Sequence, residues 1–284
     1  MNWEQQQQKM RNITSELLTN GKVDIIIGYE QASVKGKAAP AFITSLEEIQ
    51  TLVWNDKCEN MLAKYALRYK DKRMAIVAKA CDARAIVGLM VEHQFPREQI
   101  VIIGMVCPGM TDERGRVYES CQVCRHHNPP VYDYFIGDAM EESEYKLSPT
   151  MAKIDAMMPD ERWAYFTSQM KKCIRCYSCR QACYLCYCNK CFVDRNQPRW
   201  MARTTDLSDN IYYHLGRIMH TAGRCVQCGA CERVCPMDLK IWYLAQKVSD
   251  DCKELYDYDA GLMLDEKPAL ADYRLEDSQK AFVD

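Results

Sequence analysis

No apolar run in this sequence approaches the roughly 20 residues that a membrane-crossing helix needs. The longest nearly uncharged one, Ile100 to Met110, falls well short. Neither sign of charge is in excess: 37 Lys+Arg stand against 39 Asp+Glu, a net charge of −2. That argues against a nucleic-acid protein whose affinity comes from neutralising phosphates. The opening Met1-Asn2-Trp3-Glu4 and its following glutamines hold neither a basic segment nor an apolar one, so no secretory signal is expected there. A Gly-x-Ser-x-Gly elbow, a Walker loop and a His-Glu-x-x-His helix are also missing, and no catalytic acid, base or nucleophile stands out. The expectation is a soluble cytoplasmic protein with no membrane span and no nucleic-acid partner.

What the chain does have is cysteine, 17 of 284 residues. With 48% hydrophobic and 27% charged residues it can bury a core, and it is too long for a disulfide-stapled mini-protein. Most of the cysteines sit at two- and three-residue gaps. Such neighbours rarely pair with each other, but they can aim several thiolates at one metal centre.

The cysteines divide the chain: five (58, 81, 107, 121, 124) precede residue 171, eleven lie within 171–235, and Cys252 stands alone. Before 137 the pattern alternates. A polar helix over 3–19 is followed by a strand at 23–28, a helix at 58–69, a strand at 73–78, a helix at 82–93 and a strand at 99–105. This alternation predicts parallel pairing through right-handed crossovers. An acidic linker over 137–150 and a helix at 160–170 lead into the cysteine-rich part. The predicted organisation is an α/β domain with a small parallel sheet and one cluster site at 1–148. An α+β two-[4Fe–4S] ferredoxin-like domain follows at 149–250, with an insertion at 184–224, and then a C-terminal tail at 251–284.

Two runs fit one template: Cys173-x2-Cys176-x2-Cys179-x3-Cys183, and Cys225-x2-Cys228-x2-Cys231-x3-Cys235-Pro236. In bacterial two-cluster ferredoxins the first three cysteines of a run hold one [4Fe–4S] cluster and the fourth ligates the other. Cluster one is therefore assigned Cys173, Cys176, Cys179 and Cys235, and cluster two Cys225, Cys228, Cys231 and Cys183. Gly229 gives its loop backbone freedom. A pair of zinc knuckles is the rival use of the same thiolates. The insertion opens with Cys186, Cys188 and Cys191, which together with Cys183 could hold zinc or a further cluster and so compete for Cys183. Cys58 and Cys252 read as small buried hydrophobes.

Cys81 and Cys107 each follow a predicted parallel strand, and so emerge at the carboxyl edge where α/β proteins build their sites. Cys121-x2-Cys124 adds a chelating pair. A third [4Fe–4S] site results, favoured by the helix N-terminus beside Cys81; a Cys2His2 zinc site using His126 and His127 is its alternative.

The segments Lys79-Ala-Cys81-Asp82-Ala-Arg84, Ile103-Gly-Met-Val-Cys107-Pro-Gly, Cys121-x2-Cys124 and Phe135-Ile-Gly137-Asp138 resemble a known family. It comprises the beta subunits of deazaflavin-reducing hydrogenases and deazaflavin-dependent formate dehydrogenases. The resemblance implies that Cys81, Cys107, Cys121 and Cys124 ligate a [4Fe–4S] cluster. The two-cluster segment is similar to modules of heterodisulfide-reductase- and sulfite-reductase-linked subunits. Members that bind FAD carry a Gly-rich segment before the equivalent of Glu16; this chain has no glycine there, which argues against a bound flavin. The loop around Lys35-Gly36-Lys37 is left as the one candidate contact for a flavin phosphate.

His214, Arg217 and His220 recur every three residues before Cys225, and are read as lining one helix face beside cluster two, where they would tune its potential. Arg195, Arg199, Trp200 and Arg203 are read as a docking stretch or an exposed loop. The function expected is an iron–sulfur electron-transfer subunit. Its partners would be subunits of a hydrogenase, formate dehydrogenase, heterodisulfide-reductase-like complex or flavin-containing reductase. A flavoprotein acting on deazaflavin or nicotinamide, and a zinc-stabilised scaffold, are the rivals.

Overall fold

The computed structural model describes residues 2–199 and 201–269. Its elements in chain order are α1 (Trp3–Thr19), β1 (Ile25–Gln31), β2 (Ala38–Ile43), α2 (Ala63–Ala66), β3 (Met74–Ala78), α3 (Ala80–Val91), β4 (Ile100–Met105), α4 (Glu119–Gln122) and β5 (Tyr134–Ile136). Then come α5 (Pro149–Asp155), α6 (Pro159–Lys171), α7 (Ser178–Ala182), α8 (Leu207–Met219), α9 (Ala230–Arg233) and α10 (Trp242–Tyr256).

The five strands form one sheet in the order β2-β1-β3-β4-β5, with β1, β3, β4 and β5 mutually parallel. β3 is buried along its whole length, as a strand covered on both faces must be. The expected parallel sheet is thus its centre, but the sheet is mixed, because β2 runs antiparallel to β1. Residues 32–37 turn the chain back, with the Ala32 amide donating to Lys37 O at 3.0 Å. Pro40 is tolerated because β2 is an edge strand. The stretch weighed as a phosphate contact is this hairpin, and Lys37 pairs with Glu113 at 2.8 Å.

α1 is capped by Asn2, whose side chain accepts from the Gln5 amide, and it buries Gln6, Met10, Thr14 and Leu17. Gln6 Oε1 accepts from Trp54 Nε1 at 3.1 Å, so the glutamine-rich start is packed against the domain. The helix expected over 58–69 shrinks to four residues. Asp82 Oδ1 accepts from the Leu62 amide at 2.5 Å and so fixes where it starts. Cys58 is fully buried, and burial pushes its thiol up to about 12; Cys252 is buried as well.

Beyond β5 the described residues contain no strand, so the second part is helical rather than α+β. The segments flanking the cysteine runs spend their apolar periodicity on helix packing. Phe166 and Met170 of α6, Tyr213 of α8, and Leu239 and Ile241 share one core. The two parts are tightly joined, since Tyr184, Leu185, Val226, Ala230, Tyr258 and Ala260 belong to the core under the sheet. The tail boundary placed at 251 falls inside α10, and the chain then folds back onto α3. Arg84 Nε donates to Ala260 O at 2.9 Å, and Asp259 pairs with Arg84 and Arg125. A Cβ on Gly261 would lie 2.1 Å from the Arg84 carbonyl, so only glycine fits there. Trp200 and residues 270–284 lie outside the described residues. Among the described residues no helix is long and apolar enough to cross a membrane.

Candidate metal centres

The two cysteine runs adopt the same backbone. Arg175 and Tyr177 in the first, and Gln227 and Gly229 at the matching places in the second, all have φ between 55° and 72°. This left-handed pair turns the loop so that amides face sulfur. The amides of Arg175 and Gln227 donate to Cys173 Sγ and Cys225 Sγ, both at 3.4 Å. Tyr177 shows that glycine is not required at this corner. At Gly229 it is, because a Cβ there would lie 2.3 Å from Ser120 Oγ. Each loop runs into a short helix, α7 or α9, and these two pack together.

Besides burial, neighbouring thiols raise one another across the two runs, and Cys231 feels both Cys183 and Cys179. Burial and then the Cys179 and Cys235 thiols raise Cys173. Burial and then Cys228, Cys183 and Cys231 raise Cys225. Cys183 of the first run therefore stands with three cysteines of the second, and Cys235 of the second with the first. Cys183 also receives a hydrogen bond from the Cys186 thiol, which lowers its own proton affinity, so it touches the insertion as well.

At the sheet edge β3 and β4 are paired in register from Met74↔Ile100 to Ala78↔Gly104, so their carboxyl ends emerge together. Cys81 lies in the first turn of α3 and Cys107 two residues past β4. With Cys121 and Cys124 they line a single cavity, which also exposes Cys228 of the second run. Burial, then Cys121, pushes Cys107 up to about 12, and burial, then Asp82, raises Cys81 well above its ordinary value. A cationic iron–sulfur core would offset this crowding by holding the sulfurs as thiolates. The histidines of the alternative zinc site are otherwise engaged. His127 meets Cys107 O and Ser143 Oγ, each at 3.0 Å, and His126 meets Glu142 and Asp259.

Sequence reasoning missed the cations around this cavity. Lys79 Nζ pairs with Asp82 at 2.8 Å; against the opposing effect of burial, Asp82 and Cys81 hold its ammonium above the ordinary value. Arg233 donates to Cys228 O at 2.5 Å and Glu59 O at 2.9 Å, and so ties the second run to the first domain. Its place between Cys231 and Cys235 was the available signal.

The helix carrying the predicted tuning residues is α8, but its three side chains do not share one environment. His214 Nε2 lies 3.3 Å from Cys173 Sγ, so it serves the first run rather than cluster two. Burial, then Arg217 and Arg175, lower it to about 3, which leaves a neutral ring able to donate N–H to sulfur. Arg217 is 4% exposed, with Nε and one Nη lacking any protein partner. Its charge is held by the thiols of Cys231, Cys179, Cys183 and Cys186, against the opposing effect of burial. A guanidinium left bare in this way calls for an anionic group in the space between the runs, and thiolate-ligated clusters fit it. His220 is exposed and packs edge-on against Phe192 at 4.8 Å. At 3.6 residues per turn, six residues bring it about 120° round from His214.

Cys186, Cys188 and Cys191 open onto a surface cleft that Lys64, Arg68, Arg180 and the buried Arg217 also line. Among the described residues no three His, Cys, Asp or Glu side chains are gathered closely enough for a single metal ion.

Residues 172–240 match the family of 4Fe-4S dicluster domains, the segment that holds both cysteine runs. The chain is also similar to the F420-dependent formate dehydrogenase subunit beta of Methanocaldococcus jannaschii. Identity is 21%, with 87% of this chain and 89% of that protein covered. A 30% identical match to the F420-dependent formate dehydrogenase 1 subunit beta of Methanococcus maripaludis covers 33% of this chain and 24% of that one. The chain is a beta-subunit-like iron–sulfur protein. The resemblance drawn from the sequence motifs is the one these comparisons return. It places the protein among 4Fe-4S oxidoreductase electron-transport proteins, with the paired loops inside the dicluster domain.

Proposed function

We propose that this chain is the electron-relay subunit of a formate-dehydrogenase-like redox complex, with three [4Fe–4S] clusters in a row. Cys173, Cys176, Cys179 and Cys235 hold the first; Cys183, Cys225, Cys228 and Cys231 the second; Cys81, Cys107, Cys121 and Cys124 the third. Each cluster, when bound, takes up and releases one electron at a time. The observation that carries this reading is the cavity that Cys81, Cys107, Cys121 and Cys124 share with Cys228. Cys228 of the dicluster domain and the sheet-edge cysteines thus border one cavity.

The protein's own groups set the conditions of transfer. Arg217 bears on both runs, His214 donates to Cys173, and Lys79 and Arg233 supply positive charge around the third site. His220 is left outside this set. Cys186, Cys188 and Cys191, which do not gather three ligands round one ion, are left outside the relay.

A hydride donor must meet a flavin or a comparable two-electron group before electrons can enter clusters singly. The isolated chain is therefore expected to pass electrons from dithionite to an artificial dye. It should not oxidise nicotinamide or reduced deazaflavin until a flavin- or metal-bearing partner is added. Stopped-flow absorbance under anaerobic conditions reads both reactions, and turnover of a hydride donor by the isolated chain would contradict the relay.

A further inference from the structure

Of the twelve cysteines in the proposed relay, Cys176 alone is exposed. It opens into a surface groove lined by Lys64, Arg68, Ala182 and Val234. Large apolar side chains stand exposed next to the other cysteines assigned to the same cluster. Ile174, beside Cys173, is 52% exposed, and Val234 and Met237, flanking Cys235, are 38% and 39% exposed. Lys171 and Lys172, both exposed, immediately precede Cys173. Of the acidic groups nearby, Glu59 accepts from Tyr118, and Asp238, itself exposed, is offset by Lys240 at 2.9 Å. At the other end of the relay, Cys81 and Cys107, both half-buried, line the cavity shared with Cys228.

We infer that this face is the docking surface for an acidic one-electron carrier protein, and that electrons cross at Cys176. The inference rests on the reading that Cys173, Cys176, Cys179 and Cys235 hold a cluster. Apolar contact around the exposed sulfur would exclude water and bring the carrier's centre close, and tunnelling falls steeply with distance. The lysines and Arg68 would steer and orient an acidic partner, as complementary charge does at transient interfaces. The step balances simply: the reduced carrier loses one electron, the cluster gains it, and no proton or bond moves.

The test uses the anaerobically loaded full chain, with a reduced acidic plant-type [2Fe–2S] ferredoxin as the probe. Stopped-flow rates are followed from about 50 to about 500 mM salt. The wild-type rate should fall roughly tenfold or more over that range, as screening shortens the reach of charge. The K171E/K172E variant should be about tenfold slower at low salt, yet be reduced by dithionite at the wild-type rate and hold the same iron. A matched reversal on α1 and in the turn that follows it, K9E/K22E, should leave the ferredoxin rate unchanged. Equal rates for K171E/K172E and wild type, with iron intact, would overturn the docking surface alone. Unchanged iron content and cluster signals in Cys176→Ser would instead overturn the reading on which it rests.

Discussion

Cys228→Ser is expected to lower the iron content of the anaerobic protein from about twelve atoms to about eight, because each cubane carries four irons on four thiolates. Its signals from the first and third sites should persist while transfer between them stops. Cys228 is the ligand proposed for cluster two that also opens onto the cavity of Cys81, Cys107, Cys121 and Cys124. Removing it takes out the middle of the relay at its contact with the third site. With a reducing partner attached, the partner's own half-reaction should run at the wild-type rate while electrons fail to reach the far acceptor. EPR of the dithionite-reduced protein and the coupled assay read the two effects separately. Full coupled transfer in this variant would refute the linear order.

Arg217→Gln should lower the midpoint potentials of both dicluster clusters together. The buried guanidinium is held by thiols of both runs, so its charge favours the reduced, more negative state of each. One charge a few Å away at an effective dielectric near 20 is worth about 2–3 kcal/mol, which for one electron corresponds to on the order of 100 mV. Arg217→Lys keeps the charge and should shift the midpoints much less. The third site draws its cations from Lys79 and Arg233, so its potential should barely move. An EPR-monitored redox titration gives all three midpoints. Unchanged dicluster potentials in Arg217→Gln would show that the guanidinium answers to something other than the clusters.

How much of this was legible in the sequence depended on how local the signal was. β1, β3 and β4 are apolar runs between turn residues, and they were read to within a few residues. β2 was missed because its Ala-Ala-Pro-Ala segment looks like loop, and only its edge position makes Pro40 acceptable. β5, at three residues, is too short to leave a period. Cysteine spacing within each run dictated the two loops down to their shared left-handed corners. The meeting of Cys81, Cys107 and the Cys121–Cys124 pair followed from the parallel register. The side chains that surround the sites were much less legible. His214 was assigned to the neighbouring second run, yet α8 crosses back over Cys173, and no spacing announces that. Arg233 and Lys79 gained their places from tertiary contact between parts distant in the chain, Arg233 with Glu59 O and Lys79 with Cys58 O and Asn60 O.

Metal analysis of the anaerobically purified full chain, with iron, zinc and acid-labile sulfide counted together, tests the central claim most directly. The relay predicts about twelve irons and twelve sulfides per chain, from three cubanes of four irons each. Any metal beyond that number should disappear when Cys186, Cys188 and Cys191 are replaced by Ser, with the twelve irons retained. About eight irons with one zinc that is lost on substitution of Cys121 and Cys124 would contradict the account, for it would put a structural ion where the third cluster of the relay must stand.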